Sequence, residues 1–165
     1  MTIATGPITQ ICWVTDDIDG SERLLSEQFG VSGWMRIPDV EFAAATTTLR
    51  GRPVRFVAHI SLGYAGDLQL ELIEPVEGPT IHAEFLAVHG PGLHHVCFEV
   101  DDVDAACAAA EAAGVPVLMR GSMMDGEIEF AYVDGSAGGA PYVELARIGP
   151  QMREFYDAVR EQSRA

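Results

Sequence analysis

Gly92-Leu93-His94-His95-Val96-Cys97-Phe98-Glu99-Val100 runs into Asp101-Asp102-Val103-Asp104 and then into an alanine-rich segment ending at Ala113. Apolar and polar positions alternate through the first part, the period of a half-buried strand, and the acidic turn that follows can cap a helix. The stretch has a twin 85 positions earlier, Gln10-Ile11-Cys12-Trp13-Val14-Thr15-Asp16-Asp17-Ile18-Asp19. Cysteine, three aspartates and the apolar rhythm coincide, and His95 falls opposite Gln10. The chain therefore reads as one plan used twice.

Working outward, each copy continues in the same order. In the first, a strand over 8–15 leads into a helix stopped at Gly30, which suits the left-handed position after a helix. Short strands follow around 34–37 and 44–50, then longer ones over 54–63 and 68–73. In the second, the strand from Leu93 leads into a helix over 103–113 stopped by Gly114, then strands over 115–118, 127–133 and 142–146. A connector, 77–91, carries Gly78-Pro79 and Gly90-Pro91 with a short helix between them. Pro150 opens an amphipathic C-terminal helix, 150–163, with Met152, Phe155, Tyr156 and Val159 on its apolar stripe. The expected fold is α+β: two tandem βαβββ modules (7–76 and 92–147) in a single domain, joined in a curved mixed sheet of about eight strands. Helices lie outside and a groove inside, because a half-sheet with one helix cannot bury both faces alone.

Bulk composition bounds the function. The chain has 165 residues, 48% apolar and 21% charged, with a net charge of -15 and ten cations that are all arginine. A strongly acidic surface argues against nucleic acid and anionic membranes. The lack of lysine removes Schiff-base chemistry and the phosphate-binding P-loop. Cys12, Cys97 and Cys107 read as small buried hydrophobes rather than a disulfide framework. With no basic-apolar leader and no membrane-length apolar run, a cytoplasmic protein is expected.

Strand alternation selects the groove residues. If Ile11, Trp13, Val96 and Phe98 pack on the helices, Gln10 and His95 face the groove. If Leu70, Leu72, Val143 and Leu145 do the same, Glu71 and Glu144 join them. Two carboxylates, an imidazole and an amide oxygen suit a divalent metal, with Zn, Ni, Co, Mn, Mg and Fe(II) all compatible. The same alternation sends His94 to the packing side, opposite His95. Arg55 and His59 are expected to line the groove as substrate contacts, and Met123-Met124 to flank it, Met124 as an apolar contact. His82 and His89, in the connector, read as surface residues.

At these residues the chain resembles the vicinal oxygen chelate superfamily, which includes glyoxalases, bleomycin-resistance proteins and extradiol dioxygenases. The local likeness is to its methylmalonyl-CoA epimerase and glyoxalase-like branch. It rests on Gly92-Leu93-His94-His95-Val96, on Val100-Asp101-Asp102-Val103-Asp104, and on the module-closing stretches Leu70-Glu71-Leu72-Ile73-Glu74-Pro75 and Val143-Glu144-Leu145. The resemblance implies metal ligands at Gln10, Glu71, His95 and Glu144. Epimerases of the branch have histidine where this chain has Gln10, and the Gln-Glu-His-Glu set is similar to zinc-using glyoxalase I enzymes. Epimerases also carry a second carboxylate base on a middle strand of the first module, where this chain has Arg55. The chemistry implied is enediolate formation on a small carbonyl or acyl-thioester, by a lyase, isomerase or epimerase, with Glu144 as the base and Glu71 second. The rivals are a metal-free small-molecule binding protein of the bleomycin-resistance kind and a ring-cleaving dioxygenase. A homodimer is expected, because the stripe of the C-terminal helix needs a cover.

Overall fold

The computed structural model describes residues 2–164. It contains one continuous mixed sheet. In chain order the strands are β1 (Ile8–Val14), β2 (Ser32–Phe42), β3 (Thr47–Leu49), β4 (Arg52–Pro53), β5 (Phe56–Ala65), β6 (Leu68–Glu77), β7 (Gly92–Glu99), β8 (Val117–Met123), β9 (Ile128–Asp134) and β10 (Tyr142–Ile148). The helices are α1 (Ile18–Phe29), α2 (Ile81–His89), α3 (Val103–Ala112) and α4 (Pro150–Gln162). Across the sheet the order is β2-β5-β6-β1-β7-β10-β9-β8-β3-β4. β1 runs parallel to β6 and antiparallel to β7, and β10 runs parallel to β7. The repeat is visible in the capping: the Asp17 carboxylate accepts from the Gly20 amide and the Asp102 carboxylate from the Ala105 amide, each at 2.9 Å. Such caps satisfy amides that the helix itself leaves open.

Two features depart from the eight-strand expectation. β2 is longer than the sequence suggests because it continues through a bulge between Ile37 and Val40, where Asp39 adopts a left-handed φ of 52°. An extra residue at a bulge breaks the period of two, which hides the strand from a pattern reading. β3 and β4 form a small hairpin that leaves the first half and pairs with β8, the far edge of the second half. The same segment thus ties together the two edges of the curled sheet. Phe42, just before the hairpin, stacks on Phe56 (centroids 4.2 Å apart) and meets Phe130 of β9 edge-on at 5.9 Å. Those rings close one end of the groove.

α4 settles what covers its own stripe. It leaves β10 and crosses to the first half, where it packs on β2 and β5. Val159 and Met152 are buried there. The N-terminal end of α4 is capped by a carboxylate from the β8–β9 turn: Glu127 Oε2 accepts from the amides of Gln151 and Met152 at 2.9 and 3.2 Å. At the other end Ser32 Oγ donates to the Ser163 carbonyl at 3.0 Å, and a Cβ on Gly33 would lie 2.7 Å from the Gln162 backbone. The chain itself thus covers Met152 and Val159 of the stripe, while Phe155 and Tyr156 are half-buried. Among the described residues no helix is long and apolar enough to cross a membrane.

Candidate active site

The four central strands each deliver one donor to the same place. Cys12 of β1 pairs with Glu71 of β6 on one side and His95 of β7 on the other, while Cys97 of β7 pairs with Gln10 and with Glu144 of β10. Because alternate side chains share a face, this register gathers Gln10, Glu71 and Glu144 on one concave wall. All three line one large cavity and are at most 9% exposed, and His95 beside them is fully buried. His95 Nε2 lies 3.1 Å from Glu144 Oε2 and 3.5 Å from Glu71 Oε2.

One polar atom of this group is left over. Gln10 Nε2 donates to Gln69 Oε1 at 2.7 Å, and Gln69 Nε2 donates to the Tyr64 hydroxyl at 2.9 Å. That chain fixes the amide so that Gln10 Oε1 is left buried with no hydrogen-bond partner. His95 Nε2 is buried as well, against the Glu144 and Glu71 carboxylates. An orphaned buried acceptor such as Gln10 Oε1 is costly, and a cation beside it would satisfy it and compensate the two carboxylates as well. The residues present fit a divalent metal: Gln10 Oε1, His95 Nε2, Glu71 and Glu144 form a mixed O/N donor set.

Charge follows the same logic. Burial raises the Glu71 carboxyl, with His95 pulling it back down. Burial alone would lower the His95 imidazolium, but the Glu144 and Glu71 carboxylates outweigh it and lift it to about 9. The pair of carboxylates thus creates strong local demand for a positive charge.

Several neighbours escaped the sequence reading. His94 does not face away from His95. β7 is irregular where Cys12 pairs with His95 but Trp13 with Leu93, so His94 is the extra residue of a bulge. A bulge carries consecutive side chains to one side, and His94 Nδ1 sits 2.9 Å from His95 Nδ1. His82 is not on the surface. It is 2% exposed in the first turn of α2, with Nδ1 2.9 Å from the Thr80 hydroxyl and its ring 4.6 Å from that of His94. The signal was available in the apolar spacing of Ile81 and Phe85, which gives α2 an inward face. Cys12 joins Glu71 and His95 in a cluster whose ligand atoms lie within 4.8 Å of one another. Burial, with Glu71 beside it, pushes its thiol far up in the metal-free protein.

Two expected substrate contacts lie elsewhere. The cavity is lined by Phe56, Ala58, Ile60 and Leu62 of β5, so the alternate face of that strand points away from it. Arg55, on that face, pairs with Glu41 at 2.7 Å and Glu77 at 2.9 Å near the outer surface. His59 Nδ1 accepts from the Asp39 amide at 3.1 Å. The alternation of β5 was visible in the sequence; which of its faces turned inward was not. Met124 and Met123 do line the cavity, at the turn where Met124 and Asp125 adopt left-handed φ.

The fold and donor set can be compared with known proteins. Solved structures that resemble the chain include methylmalonyl-CoA epimerase from Mycobacterium tuberculosis (18% identity, 93% of this chain and 94% of that one, TM-score 0.59). A hypothetical protein from Bacillus halodurans matches at 15% identity over 86% and 93% of the two chains, TM-score 0.60. A Streptomyces coelicolor methylmalonyl-CoA epimerase variant in complex with 2-nitronate-propionyl-CoA matches at 20% identity over 89% and 97%, TM-score 0.58. At such identities the likeness establishes the fold. No curated protein sequence is significantly similar. The family model described as glyoxalase/bleomycin resistance protein/dioxygenase superfamily matches residues 9–132, through both halves of the sheet, and the chain belongs to that superfamily.

Proposed function

We propose that this protein is a metal-dependent lyase, isomerase or epimerase that moves a proton next to a carbonyl. One observation carries the reading: Gln10 Oε1 is buried without a hydrogen-bond partner and is grouped with the His95 imidazole and two carboxylates on adjacent strands. A bound divalent cation would polarise the substrate carbonyl and stabilise charge developing on its oxygen. The chain's own residues do the rest. Gln69 and Tyr64 hold the Gln10 amide in place. Glu144 takes the proton from the carbon next to the carbonyl, and Glu71 serves as the second base, through which a proton returns. The cavity face of β5 is apolar from Phe56 to Leu62, so the two bases are the glutamates at the centre rather than a carboxylate on that strand.

Metal content of protein purified without chelator, together with solvent deuterium entry into a panel of acyl-thioesters, hemithioacetals and α-hydroxy ketones, tests this reading. Exchange should fall about 10²-fold or more in Glu144→Gln, the usual contribution of a general base. Protein with no metal and no exchange would instead support a small-molecule binding protein of the bleomycin-resistance type. The depth and apolar lining of the cavity favour that second reading.

A further inference from the structure

Outward from the four donors the groove opens into a chamber of about 710 Å³, the size of a small-molecule site. Its walls are largely hydrocarbon. β5 supplies Phe56, Ala58, Ile60 and Leu62, and β2 supplies Ile37 and Val40. The facing wall is Met119, Met123, Met124, Ile128 and Phe130, and α4 closes over the chamber with Met152 and Tyr156. Methionine and branched aliphatic side chains offer a ligand dispersion and desolvation but few hydrogen bonds.

The charges around this chamber are equally selective. Its carboxylates are Asp67, Glu71, Glu99, Glu144 and Asp157, and among the described residues its arginines are Arg153 and Arg160, both from α4. Each arginine is already engaged by its own chain: Arg153 with Glu99 and Arg160 with Asp157, both at 2.5 Å. Elsewhere Arg36, Arg50, Arg55, Arg120 and Arg147 pair with acidic partners away from the chamber, and the chain has no lysine to add. Asp67 is likewise held by Arg164 at 2.6 Å, so a phosphate entering here would find no unengaged arginine beside it, would have to break an existing ion pair, and would lose its hydration against hydrocarbon.

Building on the enolising reading above, we infer that the substrate is an apolar carbonyl compound without phosphate groups. Its hydrocarbon body fills the space between the β2–β5 wall and the methionine wall, and its carbonyl end reaches Gln10, Glu71, His95 and Glu144. The phosphates of a carrier such as coenzyme A would find no free arginine in the chamber.

The test uses the full-length, metal-loaded protein and the neutral fluorescent probe N-phenyl-1-naphthylamine. Saturable binding with blue-shifted emission is expected, and Ile60→Asp should weaken it about tenfold or more, because a carboxylate on the wall must be buried against the probe. Should Ile60→Asp not fold, Met124→Asp, at an exposed position on the facing wall, gives the same readout. Coenzyme A in large excess should leave the probe bound. Absence of saturable binding by folded protein, or displacement of the probe by coenzyme A at comparable concentration, overturns the assignment. His95→Ala separates the two readings, since it should lose metal and keep the probe. Wild-type protein that binds probe but never metal would overturn the enolising reading and leave the apolar-ligand assignment standing; metal binding and exchange without probe binding would do the reverse.

Discussion

The Nδ1 atoms of His94 and His95 face one another at 2.9 Å in a fully buried contact, so the tautomers of the two rings are tied together. For His95 to present a lone pair at Nε2, its proton must sit on Nδ1 and be donated to His94. Ligating histidines are commonly oriented through the other ring nitrogen, and removing that partner costs about 10- to 100-fold in metal affinity. His94→Phe should therefore weaken metal binding by about that factor in a chelator competition, while His94→Gln, which retains an acceptor, should recover part of it. Equal affinity in all three proteins would remove His94 from the site.

Buried neutral histidines make the protein acid-sensitive. Burial, with His95 nearby, pushes the His82 imidazole far below its ordinary value, and burial with His82 and His95 does the same to His94. Below the ordinary histidine pKa, about 6.5, the unfolded chain binds protons that the native state refuses, so stability falls as pH falls. Each such histidine contributes a slope of up to about 1.4 kcal/mol per pH unit. His95 works in the opposite direction in metal-free protein: its pKa is raised to about 9, so its contribution is full below about 6.5 and is lost as pH rises through about 9. Urea unfolding in chelator should show a net stability loss between pH 6.5 and 5. Glu71, raised by burial, opposes only part of this loss, so a flat profile would count against two neutral buried histidines in the native state.

Gly33 is the seat of α4. Its φ of 66° is left-handed, and any Cβ there would lie 2.7 Å from the Gln162 backbone, which cannot retreat as a flexible side chain could. Gly33→Ala should lift the C-terminal turn of α4, raising hydrogen exchange in 150–162 while leaving the central strands protected. Unchanged protection in α4 would count against its docking on β2.

Glu127 holds the other end. Its carboxylate caps α4 through the Gln151 and Met152 amides, and a Cβ on the neighbouring Gly149 would clash with it at 2.5 Å. Glu127→Ala should cost about 0.5–2 kcal/mol in denaturant unfolding, the range for loss of an N-terminal cap. A loss of no more than a few tenths would mean that Pro150 alone starts the helix.

Phe42 and Phe56 close the groove as a stacked pair. Both are buried in the main hydrophobic cluster, so Phe56→Ala should cost about 3–5 kcal/mol by thermal or denaturant unfolding. A cost below about 1 kcal/mol would show that the neighbouring rings collapse into the space.

The repeat was legible in sequence because it is local. The alternation of β1 and β7 and the facing of Gln10, Glu71, His95 and Glu144 into one groove follow from a period of two applied to matching strands, and the acidic turn after each strand marks where a helix is capped. Tertiary structure decided what depends on bulges and on paths between the halves. A single extra residue in β7 turned His94 toward His95, and another in β2 concealed a long strand, because a bulge resets which side chains share a face. The inward face of β5, which sends Arg55 and His59 out and Ile60 in, was set by packing of Phe56 on Phe42. The cover for α4 was decided by the hairpin and curl that bring β2 within its reach. Periodicity specifies a strand's two faces; only the assembled sheet specifies which of them is the inside.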